Sequence, residues 1–146
     1  MNFNTLWWYT IYMKKGYKEN IEKLTIDNKN FRKVLYTGSH MQLVLMSLKP
    51  LEDIGLEVHE ENDQFFRFEK GNGKVVVGET EYLVSDGDAV IVPAGVQHNV
   101  MNTSEDEDLK MYTIYSPAHH KEAIVRFTKK DAFENDEEFD GVKTEN

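Results

Sequence analysis

From Phe31 to Tyr115 the sequence breaks into nine short runs rich in β-branched and aromatic residues, each closed by Gly, Asn, Asp, Ser or Pro. They are Phe31–Tyr36, Met41–Leu48, Leu56–Glu60, Gln64–Lys70, Lys74–Val77, Glu81–Val84, Ala89–Val92, Gln97–Asn102 and Leu109–Tyr115. Such runs read as strands. Nine of them with no long helix between predict an antiparallel sandwich or barrel. Gly71-Asn72-Gly73 reads as a hairpin turn, because type I′ turns need residues that tolerate positive φ. Ser85-Asp86-Gly87-Asp88 reads as a second turn. Pro93-Ala94-Gly95 fits a tight turn with Pro second and Gly fourth.

The flanks carry weaker patterns. Tyr17 to Asn30, with apolar Ile21, Leu24 and Ile26, reads as an irregular or short helical lead-in. Beyond Pro117 we expect a helical turn near Asp131–Phe133 and a mobile acidic tail. The expected division is residues 1–30 as extension and lead-in, 31–117 as barrel and 118–146 as loop and tail. A chain of 146 residues suits one domain and can bury about 70% of its unfolded surface.

Charge and cysteine content narrow the function. The net charge of −9 disfavours nucleic acid and anionic membranes, both of which select Lys and Arg. The absence of cysteine excludes disulfides, zinc–thiolate sites and thiol catalysis. The apolar run Leu6–Met13 is far shorter than the roughly 20 residues that span a bilayer. Lys14 and Lys15 follow it, whereas a signal peptide places basic residues first. The expectation is a cytoplasmic protein in which residues 1–12 form an extension outside the fold.

Five histidines are candidates for chemistry: His40, His59, His98, His119 and His120. Glu57 and His59 lie two apart on an expected strand and so share a face. Gln64 opens the next strand, and His98 follows the Pro93-Ala94-Gly95 turn. If these strands line one barrel, the four side chains can converge. A buried Glu57 without a cation would be costly there. Glu60, Glu61 and Asp63 read as a solvated rim, with Glu61 a candidate base at the mouth. His119 and His120 read as exposed loop histidines, with a lid bearing an acid or base as the sharper alternative. Tyr112 and Gln42 are expected to line the cavity. Phe65, Phe66 and Phe68 require both faces of their strand to be covered, one by the barrel interior and the other by a second copy.

The spacing Gly87-x5-Pro93-x-Gly95-x2-His98-x3-Asn102 reproduces every fixed position of the second cupin motif. The first cupin motif is matched in spacing and partly in identity. His59 and Gly71 fit it, Glu57 stands for its first His, Gln64 for its Glu and Leu51 for its leading Gly. From about Val34 to Pro117 the chain therefore resembles a single-domain bacterial cupin of the cupin-2 type. Residues 57–73 and 112–117 are also similar to a mannose-6-phosphate-isomerase-like subgroup.

The resemblance implies a double-stranded β-helix barrel and a metal set of Glu57, His59, Gln64 and His98. Two imidazoles and a carboxylate suit Fe, Mn, Zn, Ni or Co, and Gln64 is the weakest member as a neutral amide. It further implies a small-molecule substrate, a homodimer, and either a sugar-isomerase-like enzyme, a metal-dependent dioxygenase or a non-catalytic sugar-binding barrel. No catalytic residue is singled out. Fold alone does not choose among these activities.

Overall fold

Strand pairing places the inward residues of two antiparallel sheets face to face in a computed structural model that describes residues 13–146. The extension expected for residues 1–12 lies outside the described residues. Helix α1 (Ile21–Asp27) is capped by Asn20, whose side chain accepts from the Lys23 amide at 3.0 Å. The strands are β1 (Arg32–Thr37), β2 (Gln42–Leu48), β3 (Asp63–Lys70), β4 (Asn72–Val77), β5 (Thr80–Ser85), β6 (Ala89–Val92), β7 (His98–Asn102), β8 (Leu109–Ser116) and β9 (Val125–Arg126), followed by helix α2 (Lys129–Glu134). One sheet has the order β6-β3-β8-β2-β1-β9 and the other β5-β4-β7. The expected double-stranded β-helix barrel is thus the architecture found.

Period-two alternation fills the interior. Phe66, Phe68, Val44, Met46, Leu48, Leu109, Met111, Val75 and Val100 are fully buried. Each such side chain contributes roughly 1.5–3 kcal/mol by leaving water. Toward one end the inward positions turn polar: Gln64, Tyr115, Gln42 and Thr37 stand side by side in register across β3, β8, β2 and β1. All four are buried, and Tyr115 reaches the site described below, its ring centroid 5.6 Å from that of His59.

Three local expectations are corrected. Gly71-Asn72-Gly73 does not make a hairpin. Both edges of β3 are taken, by β6 and β8, so β4 has to cross to the other sheet. Gly71 turns this corner at φ +94°, and a Cβ there would lie 2.5 Å from the Asp108 carbonyl oxygen. The hairpin in this region joins β4 to β5 through Gly78-Glu79, with Val77 opposite Thr80. Second, the turn after β6 is closed by the Val96 amide donating to Pro93 O at 3.2 Å. Gly95 is therefore its third residue, at φ +80°. Third, Leu56–Glu60 is not a strand. Residues 52–57 follow the free edge of β7 irregularly, because Gly55 at φ +102° breaks the extended course. Only isolated bridges remain, Asp53 to Met101 and Glu57 to His98.

The acidic tail is not a loose end. Its backbone is tied down by Lys121 N to Glu137 O (3.2 Å), Phe139 N to His119 O (3.0 Å) and Thr144 N to Thr37 O (3.0 Å). It packs across the His119-His120 loop, and His120 bridges Glu138.

Leu51 stands where the first cupin motif has glycine, and it is held at φ +62°, a left-handed conformation costly for a branched side chain. It is 67% exposed, so little packing is at stake. Leu51→Gly should stabilise the protein by about 1 kcal/mol in urea unfolding. A loss of stability would contradict this account of the position.

Candidate metal centre

The two histidines are positioned by different means. His98 opens β7, inside the barrel and 2% exposed. Its Nδ1–H donates to Val96 O at 3.0 Å, so Nε2 carries the lone pair. That Nε2 is buried and has no hydrogen-bond partner. His59 lies in the loop before β3, 8% exposed, and its carbonyl accepts from the Gly95 amide at 2.9 Å. The Ala94 amide donates to Asp63 Oδ1 at 2.9 Å. The Pro93-Ala94-Gly95 turn therefore holds the loop that carries His59.

Glu57 completes the group. Its backbone pairs with that of His98 through two hydrogen bonds of 2.9 Å. Its Oε2 lies 3.2 Å from His59 Nε2 and 4.0 Å from His98 Nε2. One ligand atom from each of the three residues lies within 4.8 Å of the others. Two ligands bound at about 2.0–2.2 Å to one ion are at most about 4.4 Å apart, so closing the set requires little movement.

The electrostatics fit a cation. Burial pushes the Glu57 carboxyl up, but the hydrogen bond and charge of His59, with the fields of Arg32 and His98, outweigh it and hold it below the usual range. Burial, helped by the charge of His59, pushes His98 down, which favours the neutral imidazole. A neutral Nε2 lone pair thus faces a carboxylate oxygen, two acceptors with no proton between them. A divalent ion would resolve that repulsion, and the Val96 contact is the kind of outer hydrogen bond that orients a histidine for ligation.

Gln64, on β3, is 1% exposed. Its amide donates to Thr113 Oγ1 at 3.0 Å, which leaves Oε1 buried without a partner. Gln42 proves to be a brace. Its amide donates to Thr37 Oγ1 (2.9 Å) and His120 O (2.7 Å), and its oxygen accepts from the His120 amide at 2.9 Å. Tyr112 faces outward toward Phe65, because β8 turns Leu109, Met111, Thr113 and Tyr115 inward instead. Glu60 and Glu61 are exposed, as a rim should be.

His119 and His120 are corrections to the sequence reading. His120 is 3% exposed, and its Nε2 lies 3.2 Å from Tyr115 Oη. His119 is half-buried, with its ring centroid 4.2 Å from that of His59 and 5.3 Å from Tyr115. Burial first, then the charge of His59, pushes His119 down to about 4. Burial, with Arg32 and the neighbouring histidines, pushes His120 well below its ordinary value. Two cavities flank the triad. One of about 350 Å³ is lined by His59, His119, Glu60, Glu61 and Glu138. The other, about 80 Å³, lies between Arg32, Glu57 and helix α2.

Residues 44–115 match the cupin domain family. The chain is 46% identical over 127 residues to the uncharacterized protein YrkC of Bacillus subtilis (strain 168), covering 83% of this chain and 68% of that one. The chain belongs to the cupin superfamily. An uncharacterized protein of Acanthamoeba polyphaga mimivirus, L612, is 45% identical over 107 residues, 71% of this chain and 67% of its own. The crystal structure of BH2720 from Bacillus halodurans is 42% identical, with a TM-score of 0.81 over 83% of this cupin and 96% of that chain. The motif residues of this cupin divide into two jobs. Asn102 is structural: its amide donates to Leu48 O, Lys49 O and Glu107 O at 2.8–3.1 Å. His98 has its Nε2 left free for a ligand. No helix among the described residues is long and apolar enough to cross a membrane.

Proposed function

We propose that this cupin is a cytoplasmic metal-dependent enzyme acting on a small molecule. One divalent ion, Fe, Mn, Zn, Ni or Co, is held by Glu57, His59 and His98, with Gln64 as a weaker fourth contact. The observation that carries this reading is the buried, partnerless His98 Nε2 facing the Glu57 carboxylate. When bound, such an ion supplies Lewis acidity to a carbonyl or hydroxyl oxygen.

The reaction best supported is a proton-transfer, sugar-isomerase-like step, because His119 supplies the base that the sequence reading lacked. It is kept neutral by burial, lines the larger cavity beside His59 and can take a proton at an imidazole nitrogen. Gln42 holds the backbone that carries it. The two-imidazole, one-carboxylate donor set also favours a second reading, a dioxygenase.

The test is to assay the protein with its native metal for aldose–ketose isomerisation and for oxygen uptake. His119→Gln should keep the metal and lower isomerisation at least about 100-fold, the usual worth of a positioned base. Oxygen uptake without isomerisation would select the dioxygenase. Ligand binding with neither activity would select a sugar-binding barrel.

A further inference from the structure

Arg32 lies on β1 with its side chain turned into the barrel beside Met46, and it is 6% exposed. Its Nε is buried with no hydrogen-bond partner. Among the described residues its guanidinium makes no hydrogen bond and no ion pair, and its central carbon lies 5.7 Å from the centre of the Phe31 ring. Arg126, its neighbour in register on β9, behaves as a structural arginine does. Arg126 donates to Asn135 O at 2.9 Å and approaches Glu137 at 3.7 Å. A buried arginine without a direct partner costs several kcal/mol of solvation, against which the fold sets the through-space attraction of Glu57 but no hydrogen bond.

Arg32 instead forms one wall of the cavity of about 80 Å³, with Glu57 on another wall and Ala132, Phe133 and Asp136 around it. That is room for roughly five to eight water-sized positions, or a molecule of four to six heavy atoms. Charge decides what fits. With a divalent ion on Glu57, the ion and Arg32 outweigh Glu57 and Asp136 by one positive charge. The larger cavity, rimmed by Glu60, Glu61 and Glu138, repels an anion. The smaller one attracts it.

We propose that Arg32 anchors a small carboxylate ligand, whose other end reaches the metal side of Glu57. This rests on the metal reading above. The planar guanidinium suits two parallel hydrogen bonds to a carboxylate, which lysine cannot reproduce.

The test uses Co2+-loaded protein, with glycolate and its uncharged counterpart glycolamide as probes followed by calorimetry and the Co2+ absorption spectrum. Wild type should bind glycolate at least about tenfold tighter than glycolamide. Arg32→Gln should retain Co2+ and lose that preference, and Arg32→Lys should keep only part of it. In ligand-free protein Arg32→Met should melt at the same temperature or higher, because a burdensome charge is gone. A preference unchanged in Arg32→Gln, or Arg32→Met melting well below wild type, would overturn the proposal. Wild type that takes up no Co2+ would sink the metal reading and this one with it. Co2+ uptake with no preference for glycolate would sink this one alone.

Discussion

His98→Ala should retain less than about a hundredth of the wild-type metal affinity, measured by elemental analysis and competition with a chelator. Loss of an outer partner of a ligand already costs 10–100-fold, so loss of a ligand should cost at least as much. Only two imidazoles face Glu57, and His98 is the one whose lone pair has no alternative partner. His59→Ala and Glu57→Ala should behave alike. Glu57→Gln should also fail, because the carboxylate charge is what offsets the ion. Gln64→Ala should cost less than about tenfold, since a neutral amide oxygen is a weaker ligand than an imidazole or a carboxylate. Equal metal content in wild type and His98→Ala would remove the assignment.

Acidification of the metal-free protein is the second large effect. His119 and His120 both have folded pKa values below the ordinary 6.5, for reasons of burial first. The unfolded chain therefore binds protons before the folded one does. Their contribution to stability is complete above about pH 6.5 and is lost as pH falls, for His119 down to about 4 and for His120 lower still. By pH 5 the loss at His119 is on the order of 2 kcal/mol, and His120 adds to it in the same direction. Urea unfolding at pH 7.5 and pH 5 measures it directly. The double variant His119→Gln/His120→Gln should flatten the dependence in this window. A flat wild-type profile would show that the two imidazoles are not buried as described.

How far the sequence could be read depended on whether a residue answered to a local rule. Gly87 and Gly95 were legible because their backbones take φ of +94° and +80°, conformations that favour glycine. The same rule explains the cost at Leu51. Glu57 and His59 do lie together, although a bulged edge segment brings them there and not the strand expected from their spacing. Gly71-Asn72-Gly73 carries the local chemistry of a hairpin, but β3 had no free edge to offer, and edge occupancy is a property of the whole sheet. Tyr112, expected to line the cavity, faces outward, because parity along β8 cannot be counted from a turn whose length the sequence does not fix.

His119, His120 and the tail were misread for a related reason. Beyond Pro117 there is no periodic pattern, so nothing local reveals that the chain folds back to Gln42 and Thr37. Arg32 is hard to place from the sequence because its charge suggests the surface. Its alternation with exposed Lys33 and buried Val34 placed it inward all along.

The most direct measurement is anomalous diffraction from crystals of the metal-loaded protein, collected on either side of the metal's absorption edge. The account predicts a single peak at about 2.0–2.2 Å from Glu57 Oε2, His59 Nε2 and His98 Nε2. A peak elsewhere, or His98 Nε2 bonded only to water in protein that holds stoichiometric metal, would contradict it.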